Sequence, residues 1–272
     1  MGGNYLYSNP FCIEVLVKMN LIIGQGLIGR GLYYRMRGNA IFTTRKEIDL
    51  SCNEWEIPEH DTSYICAGVT STSECNRDPE GTYLVNVLNT VRLAERLNRP
   101  VWFSSERVFD GSKPFRKPYE EHCPTTEYGR QKSEAEQLLD CVKVRFAKVI
   151  GWDVPLFEDW IRKLRKQEVI YPFSNMSMSP IPIEFACKFA EKASELRSGL
   201  YQVSAKEDLP YDRIAYFIAS YIGADMRLVR PVKAEEGHPY TTLDDDGITR
   251  SLGMNIPNAW DTIYNWCKNK CL

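Results

Sequence analysis

The chain has 272 residues, of which 43% are hydrophobic and 26% charged, and a formal net charge of −2. Such a chain can bury one substantial core, or a domain plus a smaller lobe, and leaves no basic footprint for nucleic acid. No apolar run approaches the ~20 residues of a membrane span.

In chain order, residues 1–18 read as an N-terminal extension without chemical motif. Within FCIEVLVKMNLIIG the apolar run is interrupted by Glu14 and Lys18, and no basic region or small-residue cleavage site accompanies it, so no secretory leader is expected. From Met19 onward, MNLIIG begins a short apolar strand, Leu21 to Ile23, which breaks at glycines and resumes as a helix. AIFTT (Ala40 to Thr44) is the second strand and TSYICAGV (Thr62 to Val69) the third. EGTYLVNVLNTVRLAERLNR places Leu84, Leu88, Val91, Leu93 and Leu97 at helical spacing. PVWFSS (Pro100 to Ser105) is the fourth strand, followed by a turn at Asp110-Gly111, the helix EYGRQKSEAEQLLD, and VKVRFAKVIG as the fifth strand. Short apolar strands alternating with helices predict an α/β fold with a doubly wound parallel sheet, assigned to residues 19–150.

The second half is less regular. SNMSMSPIPIEF reads as loop and strand, EFACKFAEKASEL as an amphipathic helix and GLYQVS as a strand. YDRIAYFIASYIG is a helix closed by Gly223, and NAWDTIYNWCKNK a terminal helix. Residues 151–272 are assigned mainly to a smaller lobe. The nine cysteines are scattered without a C-x-x-C, and only Cys267 and Cys271 stand close. His60, His122 and His238 lie far apart, so no metal site is expected, and free thiols suit a reducing cytoplasm.

Gly24, Gly26 and Gly29 form G-x-G-x-x-G between a strand and a helix, around Leu27 and Ile28. In that context the first glycine permits a tight turn and the second lets backbone approach a pyrophosphate. The third allows close helix–sheet packing, and the helix offers free N–H groups to the anion. A packing turn that binds nothing is the competing reading. At the end of the second strand, Arg45 offers a planar fork to a 2′-phosphate and favours NADPH over NADH, while Glu47 opposes that choice.

Tyr128 and Lys132 stand at i and i+4, on one helix face. A phenol with pKa near ~10 is a poor acid–base catalyst at neutral pH, and an adjacent ammonium is expected to lower it. Ser105, at the carboxyl end of the fourth strand, can hydrogen-bond a carbonyl oxygen beside the tyrosine. Each piece alone is common; together, behind the glycine turn, they point to hydride transfer onto a carbonyl.

Four stretches, GQGLIG, SSERVFDG, EYGRQKSEAEQ and HPYTTLDDDGITRSLG, resemble the extended short-chain dehydrogenase/reductases, within them the dTDP-4-dehydrorhamnose reductase group. YLVNVLNTVRLAE, with Val85-Asn86, adds to the likeness. The resemblance implies a Rossmann-like domain, a substrate-binding lobe over most of residues 151–272, and a cytoplasmic NAD(P)H-dependent reductase of the 4-keto group of a nucleotide-linked sugar. Tyr128 would donate the proton, Lys132 would be its electrostatic partner and ribose contact, and Ser105 would orient the carbonyl. By the same resemblance Asp49 and Leu50 lie beside the adenine, and Ala67 and Gly68 line the cofactor. The glycine turn is one residue shorter than the family's usual form. Glu106 and Arg107 stand where Asp and Tyr are common, on the substrate side. Arg107 meets a phosphate or a carboxylated sugar, or pairs with Glu106; the pairing is the favoured reading. A homodimer is left open. The alternatives are a non-catalytic NADP-binding regulatory subunit, and an epimerase or dehydratase.

Overall fold

Leu21, Ile22 and Ile23 are each fully buried, as a strand covered on both faces requires. In the computed structural model, which describes residues 18–271, they belong to β1 (Asn20–Ile23). The extension assigned to residues 1–18 lies outside the described residues except for Lys18. β1 sits between β2 (Ala40–Thr43) and β3 (Thr62–Ile65), followed by β4 (Pro100–Ser105) and β5 (Val142–Phe146). A sixth strand, Gly199–Val203, closes the far edge, and all neighbours run parallel. Successive side chains alternate between the faces: Leu21, Ile23, Ile65 and Trp102 join one buried cluster, and Ile22, Tyr64, Val101 and Phe103 the other.

On one face lie α1 (Leu27–Arg35) and the helix Ile183–Ala193, packed so closely that a Cβ on Gly31 would meet Cys187 Sγ at 2.6 Å. The opposite face is covered by α2 (Thr72–Arg77), α3 (Pro79–Tyr83), α4 (Asn89–Ala94) and α5 (Glu127–Leu138). The single helix expected between residues 81 and 99 is interrupted by a π-helical turn, Leu84–Leu88.

Two other expectations meet a different arrangement. The fifth strand does not run through to Gly151. It leaves the sheet at Ala147, and β6 (Lys148–Ile150) pairs instead with β8 (Pro180–Pro182) in a separate two-stranded ladder. β7 (Ser177–Met178) pairs with β10 (Leu209–Pro210) in a third. The sheet also draws on sequence beyond residue 150, because β9 (Gly199–Val203) completes it and α7 (Ile183–Ala193) covers it. Between them α6 (Pro155–Arg165), α8 (Tyr211–Tyr221), α9 (Ile248–Ser251) and α10 (Ala259–Cys271) make up the remaining helices. Gly223, at φ 68°, ends α8 as expected, its N–H donating to Ser220 O and that of Ala224 to Ala219 O. No described helix is long and apolar enough to cross a membrane.

A buried ionic network locks α5 to the sheet. Arg145 of β5 is 0% exposed and donates to Glu136 of α5 through Nε (3.0 Å) and Nη2 (2.5 Å). Its Nη1 donates to Gln202 of β9 at 2.6 Å, and Gln202 in turn donates to the carbonyls of Arg116 and Asp244. His122 bridges Ser133 and Arg145. Burial alone would raise the Glu136 carboxyl, but hydrogen bonds from His122 and Arg145 outweigh it and hold the group down to about 2. Removing one partner of a buried pair strands the other charge. Arg145→Met is therefore expected to cost about 3–5 kcal/mol in urea unfolding at pH 7, with part of the loss recovered in the Arg145→Met/Glu136→Gln double variant. Because the folded value of Glu136 lies below the unfolded ~4.3, its contribution is complete above that value and fades as pH falls toward 2.

Candidate active site

The carboxyl ends of β1 to β5 open into one cavity of about 740 Å³, where a parallel sheet places its ligand crevice. Gly24 follows β1 at φ 101°, and a Cβ there would lie 2.6 Å from Ala67 N. A Cβ on Gly29 would lie 2.0 Å from Gly24 O, so the turn closes only because both residues lack one. Gly26 differs: the nearest atom to its Cβ position is Cys66 O at 3.9 Å, leaving an open cradle before α1. Gly26 caps α1 without a side-chain acceptor, so the first-turn N–H groups of Leu27 and Ile28 are free for an anion.

Gly24, Gly26, Leu27, Ile28, Arg45, Ala67, Gly68, Ser105 and Tyr128 all line this cavity. Gly29 supports the turn from behind. Arg45 and Lys46 stand on its rim, while Glu47 is turned back onto Thr44, accepting from its N–H at 2.7 Å and its hydroxyl at 2.6 Å. Asp49 and Leu50 are not among the lining residues. The Asp49 carboxylate accepts from Ser51 N–H, and Leu50 is buried in the core with its carbonyl accepting from Asn89. Ile48 faces the cavity in their place. The turn over residues 45–47, closed by Ile48 N–H donating to Thr44 O, decides which of the three consecutive residues looks inward.

Gly68 leaves room for Asn86, whose Nδ2 donates to Val69 O (2.9 Å) and whose Oδ1 accepts from Val69 N–H (2.8 Å). Asn86 lies inside the π-helical turn and also donates to Gln131 of α5 at 2.8 Å. The widened turn thus ties the cavity wall to the helix bearing Tyr128. α5 begins at Thr126, whose hydroxyl accepts from Gly129 N–H at 3.1 Å. A Cβ at Gly129 would lie 2.2 Å from Arg107 O, so glycine lets this helix approach the turn after β4.

At that junction Ser105 Oγ donates to Glu106 Oε2 at 2.7 Å and accepts from Arg107 N–H at 3.3 Å. Arg107 Nε stands 3.4 Å from Glu106 Oε1, the pairing favoured from sequence. The Tyr128 phenol lines the same cavity and lies within the influence of the Ser105 hydroxyl. Its phenol is pushed above the ordinary range, first by burial and then by the Glu106 charge, while Ser105 and Arg107 act against the rise. This corrects the expectation of a phenol lowered by Lys132. The ammonium of Lys132 is turned toward β4, donating to Phe103 O at 2.8 Å and lying 4.3 Å from the Trp102 ring centre and 5.9 Å from that of Tyr128. Burial draws Lys132 down to about 8. Shared helix face brings the two residues together, but the lysine's long side chain reaches past the phenol to a carbonyl of β4.

Sequence reasoning missed Gln25, Thr70, Ala147, Lys148 and Val149, all of which line the cavity. The last three looked like sheet residues, and only the departure of β6 turns them toward the crevice. Among the described residues no group of His, Cys, Asp or Glu could hold a metal ion, and Cys52, Cys66, Cys75, Cys123, Cys141 and Cys187 are free thiols.

The family model described as RmlD substrate binding domain matches residues 21–241. No curated protein matches the chain. Among solved structures, dTDP-4-dehydrorhamnose reductase from Bacillus anthracis in complex with NADP is 18% identical, with 92% of this chain and 97% of that one covered and a TM-score of 0.80. The Clostridium acetobutylicum dTDP-4-dehydrorhamnose reductase is 18% identical over 93% of this chain and 100% of that one, with a TM-score of 0.81. MoeE5 in complex with UDP-glucose and NAD is 17% identical over 93% and 100%, with a TM-score of 0.74. At such identities the likeness is one of fold.

The three glycines are expected to separate by experiment. Gly24→Ala and Gly29→Ala should lower stability by about 1–3 kcal/mol or more, seen as an earlier thermal unfolding midpoint. Gly26→Ala should unfold at the parental temperature yet bind NADPH more weakly, read by coenzyme fluorescence, because its methyl enters only the cradle.

Proposed function

The chain belongs to the RmlD substrate binding domain family, and from that premise we propose that it is an NAD(P)H-dependent reductase of the keto group of a nucleotide-linked sugar. The observation that carries this reading is the meeting of Ser105 and Tyr128 in the same cavity as the glycine turn. The chemistry of the solved neighbours agrees with it: one is in complex with NADP, another with UDP-glucose and NAD.

The residues present fit a dinucleotide. The open cradle at Gly26 and the free N–H groups of α1 would hold its pyrophosphate. Arg45 and Lys46 would meet a 2′-phosphate, unopposed by Glu47, whose carboxylate is engaged by Thr44. This favours NADPH. When bound, the nicotinamide supplies the hydride that reduces the carbonyl carbon.

The chain's own groups handle the oxygen. Tyr128, held protonated by its buried position, donates its hydroxyl proton to the oxygen as charge develops there. Ser105 is placed beside it to orient the carbonyl, with its hydroxyl released from Glu106 on substrate entry. The phenolate left behind faces Arg107, which favours the charged form. Lys132, anchored on Phe103 O, fixes a cation one helical turn below and would meet the ribose.

Mixing the protein with NADPH and dTDP-, GDP- or UDP-linked 4-keto sugars should produce net coenzyme oxidation, followed at 340 nm; an epimerase or dehydratase would return the hydride and show none. Tyr128→Phe should reduce turnover by about 10²–10⁴-fold while NADPH affinity stays within about twofold of the parent. Arg45→Ala should weaken NADPH by about tenfold or more and leave NADH nearly unaffected.

A further inference from the structure

Register places two cations past the ends of adjacent strands, Lys148 in the cavity lining and Arg107 beside it. Ser105 of β4 pairs with Phe146 of β5, and Arg107 and Lys148 each stand two residues past that pair. Lys148 lines the cavity with Ser105 and Tyr128 and makes no hydrogen bond or ion pair with a described residue. Arg107 keeps contact with Glu106 through Nε only, at 3.4 Å, and the terminal nitrogens of its guanidinium make no hydrogen bond with a described residue. Both cations feel Glu106 and each other: burial lowers Lys148, Glu106 opposes, and Arg107 adds to the lowering.

The surrounding groups leave this charge uncompensated. Glu106 balances one cation. Asp110 is paired with Arg116 at 2.5 Å. His238, 3% exposed and pushed down to about 4 by burial and by Arg107, adds no charge at neutral pH. Tyr211 presents a phenol raised by its burial to the Arg107–Glu106 pair. The rim therefore carries one net positive charge within a half-enclosed cavity, where an unpaired ammonium is costly and an anion correspondingly favoured.

We infer that Arg107 and Lys148 form a subsite for a carboxylate on the sugar ring itself, so that the substrate is a nucleotide-linked sugar acid. The inference rests on the nucleotide-sugar reading above and adds the substrate class. In a pyranose the diphosphate-bearing carbon lies across the ring from the 4-carbonyl. With the carbonyl at Ser105 and Tyr128, a carboxylate on an adjacent ring carbon would lie within reach of Arg107 and Lys148, while the diphosphate would stand on the far side of the ring. A planar fork beside an ammonium is the donor set such a group requires.

Calorimetric titration of the NADP⁺-loaded full chain tests this with UDP- and dTDP-linked glucuronate and galacturonate, the corresponding neutral sugars, and UDP and dTDP alone. A uronate should bind about tenfold or more tighter than its neutral counterpart. Lys148→Met and Arg107→Met should remove most of that advantage, and Lys148→Arg should retain it. Lys148 is enclosed by the cavity walls but opens to solvent rather than into the core, so its variants are expected to fold, checked by thermal unfolding and NADP⁺ affinity. Equal affinities for acid and neutral sugars overturn the inference and leave the reductase reading standing. So does an equal loss for UDP or dTDP alone, which would make the cations a diphosphate clamp. A chain that binds NADP⁺ but none of the sugars overturns both.

Discussion

The position of every reactive group follows from how α5 is held against the sheet, and the buried Glu136–Arg145 pair holds it. A helix laid on a sheet by apolar contacts alone can slide with little change in buried area, because burial is non-directional. Two charge-assisted bonds between a fully buried guanidinium and a buried carboxylate fix register as well as distance. Gln202 extends the constraint to β9 and to the carbonyls of Arg116 and Asp244, so the sheet, the catalytic helix and the C-terminal segments share one polar joint. Breaking it would leave a charge without solvent or partner, which is why the network acts as a unit.

From that joint the site is assembled by close approach. Gly129 admits α5 to the turn after β4, and that approach sets Tyr128 on Ser105. On the other side Asn86, carried on a π-helical turn, fastens Val69 and Gln131 together. The crevice thus has a wall bonded to the helix that carries Tyr128. Gly24 and Gly29 give the turn its shape, whereas the space at Gly26 is kept for a ligand.

The electrostatics of the pocket depart from a simple tyrosine–lysine picture. Lys132 is committed to a strand carbonyl and an aromatic ring, and burial lowers it. The charges that act directly on the phenol are those of Glu106 and Arg107, after the effect of burial. A donor kept protonated suits reduction, in which a proton must be given up as the oxygen gains charge, and the guanidinium beside it suits the phenolate that remains.

The sequence by itself determined the parallel α/β sheet, the glycine turn and the shared helix face of Tyr128 and Lys132. Each depends on local rules: alternation of apolar strands, glycine where backbone crowds, and i,i+4 spacing on a helix. Even the Arg107–Glu106 pairing was readable, because neighbours in a tight turn have few other partners. What only the tertiary structure decided involves competition between distant partners. Whether Lys132 reaches Tyr128 or Phe103 O depends on which acceptor the sheet brings within its reach. Whether Asp49 or Ile48 meets the cavity depends on the twist of one short segment, and Lys148 enters the site only because β6 leaves β5 for β8. The membership of β9 in the main sheet is of the same kind, since a strand's neighbour is chosen by pairing across 57 residues, as between Arg145 and Gln202, and no local pattern encodes it.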